Sequence, residues 1–120
     1  MKRIAIFASG SGTNAQRIIE YFSTSKEVVV DSLWSNNENA YALIRAEKLG
    51  VETFTFESDE FYRSNEILDT LYDHRIDMIV LAGLLWLPER VIATIGVVSI
   101  VGHNFFFFFC GRGAGVSGAI

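Results

Sequence analysis

Short apolar runs alternate with stretches of helical periodicity along the first hundred residues of the chain. Ile4-Ala5-Ile6-Phe7-Ala8 lies directly behind Lys2-Arg3 and predicts a first strand over Arg3 to Ala8. A helix follows from about Asn14, because Ala15, Ile18, Ile19 and Phe22 recur at i, i+3, i+4 and i+7; Ser23-Thr24-Ser25 ends it. Val28 through Trp34 reads as a second strand. The polar turn Ser35-Asn36-Asn37 then leads into a helix over roughly Asn39 to Leu49, stopped by Gly50. Val51 to Phe56 makes a short third strand. Ser58 is a cap for a further helix, Asp59 and Glu60 suit its N-terminal dipole, and Ile67, Leu68, Leu71 and Tyr72 give it a buried face before it ends near Arg75. His74, on that polar helix end, reads as a solvated residue favoured by the C-terminal dipole.

Met78-Ile79-Val80-Leu81-Ala82 is apolar without alternation, as a central parallel strand covered on both faces requires. Val97 to Val101 fits a fifth strand, and Pro88, the single proline, suits the first turn of a short helix over Glu89 to Thr94. This alternation predicts an α/β fold: a mostly parallel central sheet with crossover helices on both faces. Phe105 to Phe109 breaks the pattern. Five consecutive phenylalanines carry neither helical nor strand periodicity, and a glycine-rich stretch runs on from them to Ile120. The expected organisation is one α/β domain over residues 1–104 and an atypical Phe/Gly-rich tail over 105–120.

Composition narrows the function. With 120 residues, half of them apolar, the chain is sized for one core. A net charge of -4 disfavours sequence-independent binding to nucleic acid, which depends on Lys and Arg neutralising phosphates, so a small ligand is expected. Cys110 is the only cysteine, consistent with a reducing, cytoplasmic compartment. The N-terminal apolar run is too short for a signal peptide. Between Val97 and Ile120 only His103 and Arg112 can carry charge, but the glycines, with His103 and Asn104 among them, argue against a membrane span.

The most informative local feature is Ser9-Gly10-Ser11-Gly12-Thr13-Asn14, set between the first strand and the first helix. Backbone N–H groups and a helix N-terminus converge there, which makes an anion site, and a side chain at Gly12 would bar close approach of a phosphate. The same glycines also suit a tight turn with no ligand. Gly10-x-Gly12-x-x-Ala15 satisfies the dinucleotide fingerprint, but NAD binding calls for a carboxylate at the end of the second strand. Ser35-Asn36 stands there instead, and Asp31 falls too early, within the strand. The Lys of an NTPase phosphate loop is absent, and no serine sits in a G-x-S-x-G elbow.

Three separated motifs, Ser9 to Asn14, Trp34-Ser35-Asn36 leading into Ala40 to Gly50, and Val80-Leu81-Ala82-Gly83, resemble the phosphoribosylglycinamide formyltransferases in order and spacing over residues 1 to about 87. The resemblance implies a Rossmann-like formyltransferase fold, apparently truncated, with residues 1–104 as its nucleotide-substrate domain. It implies transfer of a formyl group from 10-formyltetrahydrofolate to the amine of glycinamide ribonucleotide in de novo purine biosynthesis. Gly10, Ser11, Gly12, Thr13 and Asn14 would hold the ribose phosphate. Leu84, Leu85, Trp86 and Leu87 would line the folate site, with Leu84 in place of the family's Phe, although such a cluster also suits plain core. No metal is implied, the partners are small molecules, and the protein is expected to be a cytoplasmic monomer or homodimer.

The resemblance weakens towards the C-terminus. The family follows its fifth strand with Asn-x-His-Pro, in which His handles protons at the amine and Asn polarises the formyl oxygen, and later supplies an orienting Asp. Aligning His103 with that histidine puts Val101 at the Asn position and Asn104 at the Pro position. His103 and Asn104 are therefore the catalytic candidates, although a lone His at a strand end is also compatible with a structural role. No Asp follows them. Two alternatives stay open: a non-catalytic phosphate- or nucleotide-binding Rossmann-like domain, truncated or inactive, and another formyl-folate enzyme such as a formyltetrahydrofolate hydrolase.

Overall fold

A computed structural model of the chain describes residues 1–57, 59, 61, 64–82, 95–101, 104–109 and 116–119, with the backbone alone for 98–101, 104–109 and 116–119. Five adjacent strands of the sheet are parallel: β1 (Lys2–Phe7), β2 (Val28–Ser35), β3 (Glu52–Thr55), β4 (Met78–Ala82) and β5 (Gly96–Val101). Two more, β6 (Asn104–Phe109) and β7 (Val116–Ala119), continue it antiparallel, and the order is β3-β2-β1-β4-β5-β6-β7. The described helices are α1 (Thr13–Phe22), α2 (Tyr41–Lys48) and α3 (Glu66–Asp73). The chain moves outward from β1 to β3 and then returns to β4 on β1's other side, so the sheet changes direction between β1 and β4. In open α/β sheets that switch point is where ligands bind, beyond the C-terminal strand ends.

The run Ile4 to Ala8 lacks alternation because both faces of β1 are covered. Ile4, Ile6 and Ala8 pack with Ala15, Ile18 and Ile19 of α1 and Ala42, Leu43 and Ala46 of α2. Ala5 and Phe7 face the opposite layer, with Trp34, Phe61, Ile67 and Leu71. The Phe7 ring lies 5.6 Å from Trp34, nearly parallel, and 5.7 Å from Phe61. The Trp34 indole N–H donates to Ser32 Oγ at 2.9 Å, which satisfies two polar groups the sheet buries.

The helix ends follow their sequence signals unevenly. Gly50 stops α2 as expected: at φ +78° it lets Val51 N–H reach back to the Ala46 carbonyl at 2.9 Å. Arg75 does the same for α3 at φ 57°, with Ile76 N–H on the Leu71 carbonyl, a left-handed residue that is not glycine. The helix expected from Ser58 to Arg75 is interrupted. Asp59 and Phe61 are helical, but Ser64 and Asn65 are not, and Ser64 Oγ accepts the Glu66 N–H at 3.0 Å as α3 begins. A serine hydroxyl in competition with the helical backbone accounts for the break. Tyr72 is half-exposed rather than buried, because the inward face of α3 centres on Ile67 and Leu71 and leaves Tyr72 beyond its edge.

The sheet also runs on past residue 104. Phe105 to Phe108 pair with β5 from Ile100 back to Val97, so the phenylalanine run is a strand. Aromatic residues favour strands, but an unbroken run gives no alternation by which to recognise one. The helix expected over Glu89 to Thr94 lies outside the described residues.

At the N-terminal ends of the strands the fold holds a polar cluster. The β1–β2 register slips by one residue, Ile4 pairing with Val30 but Ala5 with Ser32, and the skipped residue is Asp31. Its carboxylate, only 8% exposed, meets the Arg3 guanidinium and lies 2.9 Å from His74 Nδ1. Arg3 Nε donates to the His74 carbonyl at 2.6 Å. His74 is therefore not a solvated helix end: it ties α3 to the sheet and edges against the Phe54 ring. Asp31→Ala is expected to destabilise the fold by about 1–2 kcal/mol in urea denaturation, below the roughly 3–5 kcal/mol of a fully buried ion pair because Arg3 and His74 retain access to water. A change within about 0.3 kcal/mol would show that the cluster adds nothing to stability.

Candidate functional site

The glycine loop leaves β1 at the C-terminal edge of the sheet. Ala8 N–H still bonds the Trp34 carbonyl at 2.9 Å, after which the chain turns at Gly10 and enters α1 at Thr13. Gly12 occupies the N-cap position in the left-handed region, φ +79°, and its carbonyl accepts the first helical hydrogen bond, from Gln16 N–H at 2.8 Å. The N-cap residue Gly12 makes no side-chain capping bond, and the first turn of α1 holds no acidic residue to offset the positive end of the helix dipole. Gly10 and Ser11 are exposed, and Ser11 Oγ and Thr13 Oγ1 lie 3.3 Å apart. The structure thus brings Gly10, Ser11, Gly12, Thr13 and Asn14 together on one strand-to-helix turn.

The two glycines differ in what they permit. A Cβ on Gly10 would meet nothing within 4 Å, whereas one on Gly12 would lie 2.5 Å from Ala42 Cα and 2.6 Å from Ala42 Cβ. Gly12 is therefore required by the packing of the loop against α2, whether or not an anion is bound. α2 grips the loop at two further points: Ala42 N–H donates to the Gly10 carbonyl at 3.2 Å, and Arg45 Nε donates to the Ser11 carbonyl at 2.7 Å. Arg45 also bonds Gln16 Oε1 of α1, and its guanidinium lies 4.8 Å from the centre of the Tyr41 ring. Sequence reasoning missed Arg45 and Gln16. On the chain Arg45 appears only as a basic residue in the last turn of a helix, 34 positions from Ser11.

Beside the loop, the second motif closes the end of β2. Ser35 Oγ accepts the Asn37 N–H at 3.1 Å, Asn37 Oδ1 accepts the Asn39 N–H at 3.0 Å, and the Ser35 carbonyl takes Phe56 N–H. These are turn-forming roles for side chains. Asp31 lies within β2, well before its end, and is already engaged by Arg3 and His74, so no carboxylate from it is available to a ribose diol at the strand's end.

β4 ends at Ala82 and β5 at Val101 on this same edge, since both run parallel to β1. Asn104 opens β6 directly opposite Val101. His103 and the folate candidates Leu84, Leu85, Trp86 and Leu87 lie outside the described residues. A surface depression of about 340 Å³, lined by Met1, Lys2, Lys26, Glu27 and Asp77, sits at the opposite edge, where β1 begins, and has no part in this site. Among the described residues no group of three or more His, Cys, Asp or Glu is placed to hold a metal ion, and no helix is long and apolar enough to cross a membrane.

Comparison with known proteins agrees with this arrangement. The chain is 34% identical over 90 residues to a phosphoribosylglycinamide formyltransferase of Haemophilus influenzae and 36% identical over 88 residues to one of Escherichia coli. Those alignments take in 71% and 68% of this chain but 42% and 41% of the relatives, so the chain spans less than half of their length. Among solved structures, glycinamide ribonucleotide transformylase 1 from Geobacillus kaustophilus superposes with a TM-score of 0.75 at 26% identity, over 100% of this chain and 80% of that one. The phosphoribosylglycinamide formyltransferase of Streptococcus pneumoniae gives 0.73 at 27% identity, over 100% and 79%. A family model described as formyl transferase matches residues 2–106, well past the region near residue 87 where the separate motifs end. With five parallel strands, the glycine turn and the first residues of β6 all inside that match, the chain belongs to the formyl transferase family.

Proposed function

We propose that this chain binds glycinamide ribonucleotide by its ribose phosphate at residues 10–14 and serves transfer of a formyl group from 10-formyltetrahydrofolate to the substrate amine, a step of de novo purine biosynthesis. The observation that carries the proposal is the uncapped N-terminus of α1 behind an exposed glycine turn, at the switch point of the sheet. The names of the relatives supply the substrate.

In the proposed reaction the amine nitrogen bonds to the formyl carbon, the bond from that carbon to the donor's N10 breaks, and one proton passes from the amine to N10. His103 carries the proton and Asn104 donates a hydrogen bond to the oxygen on which charge develops. Leu84 to Leu87 supply an apolar wall for the folate ring, and the phosphate loop holds the amine end of the substrate within reach. Residues 1–104 act as the nucleotide-substrate domain, and 105–120 as its Phe/Gly-rich tail. The site is a cytoplasmic one for small molecules, in a monomer or homodimer, and needs neither nucleic acid nor metal.

A second reading, phosphate binding without turnover, is favoured by Val101, which stands where the family carries its Asn and cannot donate from its side chain. Calorimetric titration with glycinamide ribonucleotide, paired with a formyl-transfer assay at several protein concentrations, separates the two. Saturable binding with turnover proportional to protein is expected. Binding without turnover would select the second reading, and absence of binding would overturn both.

A further inference from the structure

We infer that Arg45 is a positioning residue for the anion loop: from α2 it fixes the Ser11–Gly12 peptide plane, next to the Gly10–Ser11 plane that Ala42 N–H holds, so that the N–H groups of Ser11 and Gly12 stay aimed away from α2. The inference rests on the proposed phosphate site and goes beyond it, because Arg45 acts through the loop rather than on the ligand.

In a trans peptide the carbonyl and the following N–H point in opposite directions, and among the described residues no peptide bond is cis. Holding one carbonyl therefore aims the next N–H. The Gly10 carbonyl is held by Ala42 N–H at 3.2 Å, which turns the Ser11 N–H away from α2. The Ser11 carbonyl is held by Arg45 Nε at 2.7 Å, which turns the Gly12 N–H away in the same manner. Neither N–H has an acceptor among the described residues. Two successive amides directed away from α2 at a helix start form an anion cradle, and a cradle fixed in advance loses less entropy when it closes on its ligand.

The rest of the Arg45 environment is built to hold its fork still. Gln16 Oε1 takes an N–H of the guanidinium from α1, and Tyr41, one turn earlier on α2, lies 4.8 Å from the guanidinium carbon. One planar group thus bridges α1, α2 and the loop between β1 and α1. A lysine at this position would keep the charge but not the fork, because an ammonium cannot present two coplanar donors to Ser11 and Gln16.

The test measures glycinamide ribonucleotide affinity by calorimetry for the wild type, Arg45→Lys, Arg45→Met and Gln16→Leu, alongside thermal melting and amide NMR of Ser11 and Gly12. Positioning predicts that Arg45→Met weakens binding about tenfold, that Arg45→Lys recovers less than half of that loss on a logarithmic scale, and that both shift the Ser11 and Gly12 amide resonances in the free protein. Gln16→Leu, which leaves α2 intact, should give a smaller loss in the same direction. Full recovery by Lys would overturn the inference in favour of a simple charge effect. Binding that stays unchanged while the melting temperature falls would overturn it in favour of plain structural support. If Arg45→Met fails to fold, Gln16→Leu and Arg45→Lys decide the matter by the same criteria. A wild type that does not bind glycinamide ribonucleotide overturns the phosphate-site reading and this inference together, whereas wild-type binding matched by every variant overturns this inference alone.

Discussion

Gly12→Val is expected to lower stability by about 3 kcal/mol or more, before any effect on ligand binding can be measured. Two costs add. A left-handed backbone costs a non-glycine residue roughly 1–2 kcal/mol, and Gly12 sits at φ +79°. The valine side chain must also displace Ala42, whose Cα and Cβ lie 2.5 and 2.6 Å from the Cβ it would introduce; overpacking of this kind costs roughly 1–3 kcal/mol. The nearest contact is backbone within α2, so it cannot be relieved by rotating a side chain. A fall of about 10 °C or more in melting temperature is expected for a domain of this size. Gly10→Ala is the matched control. Its Cβ meets nothing within 4 Å, and its stability should stay within about 0.5 kcal/mol of wild type. Any loss of glycinamide ribonucleotide affinity in Gly10→Ala then reports on the loop's outer surface, which Gly12 substitutions cannot do cleanly. Equal melting temperatures for Gly12→Val and wild type would show that the packing of this turn against α2 is wrong.

The contrast between these glycines shows what the amino-acid pattern can and cannot reveal. Both read alike on the chain, as flexible residues in a phosphate-type turn, and the expectation that a side chain at Gly12 would obstruct a ligand follows from that pattern. That Gly12 is already closed off by Ala42 depends on a contact 30 residues away in sequence. The α/β class and the stop at Gly50 were legible because each rests on local spacing: unbroken apolar runs for β1 and β4, a 3.6-residue stripe for α1, a glycine after α2. The break at Ser64-Asn65 was less legible because the apolar stripe from Ile67 onward masks it. The slip at Asp31 and the role of His74 follow from strand pairing and helix docking, which leave no trace in a single segment. Arg45 is the clearest case. Its spacing marks only an exposed helix end, and its grip on Ser11 exists because α2 lies across the loop.

Asn104→Ala is expected to lower the rate of formyl transfer by about 10²–10³-fold at saturating substrates, the usual consequence of removing one donor from an oxyanion site, with the melting temperature unchanged. The expectation depends on register. Val101 closes β5 at the position where the resemblance calls for Asn, and Asn104 is the residue paired with it on β6. Its backbone is thus displaced from the expected donor position by one cross-strand step, roughly 5 Å between Cα atoms. A donor moved by one strand spacing, on the same edge of the sheet as the phosphate loop, is a better candidate than any residue farther along the glycine-rich C-terminal stretch. Val101→Asn supplies the critical comparison. In the Asn104→Ala background it should recover at least tenfold in rate, because it returns an amide to the position that Asn104 is proposed to serve from the neighbouring strand. Single-turnover measurements with both substrates saturating would isolate the chemical step from binding. An Asn104→Ala rate equal to wild type would remove Asn104 from the reaction. If Val101→Asn then raised the rate above wild type, the oxyanion donor would be missing from the natural chain, and phosphate binding without efficient turnover would be the better description.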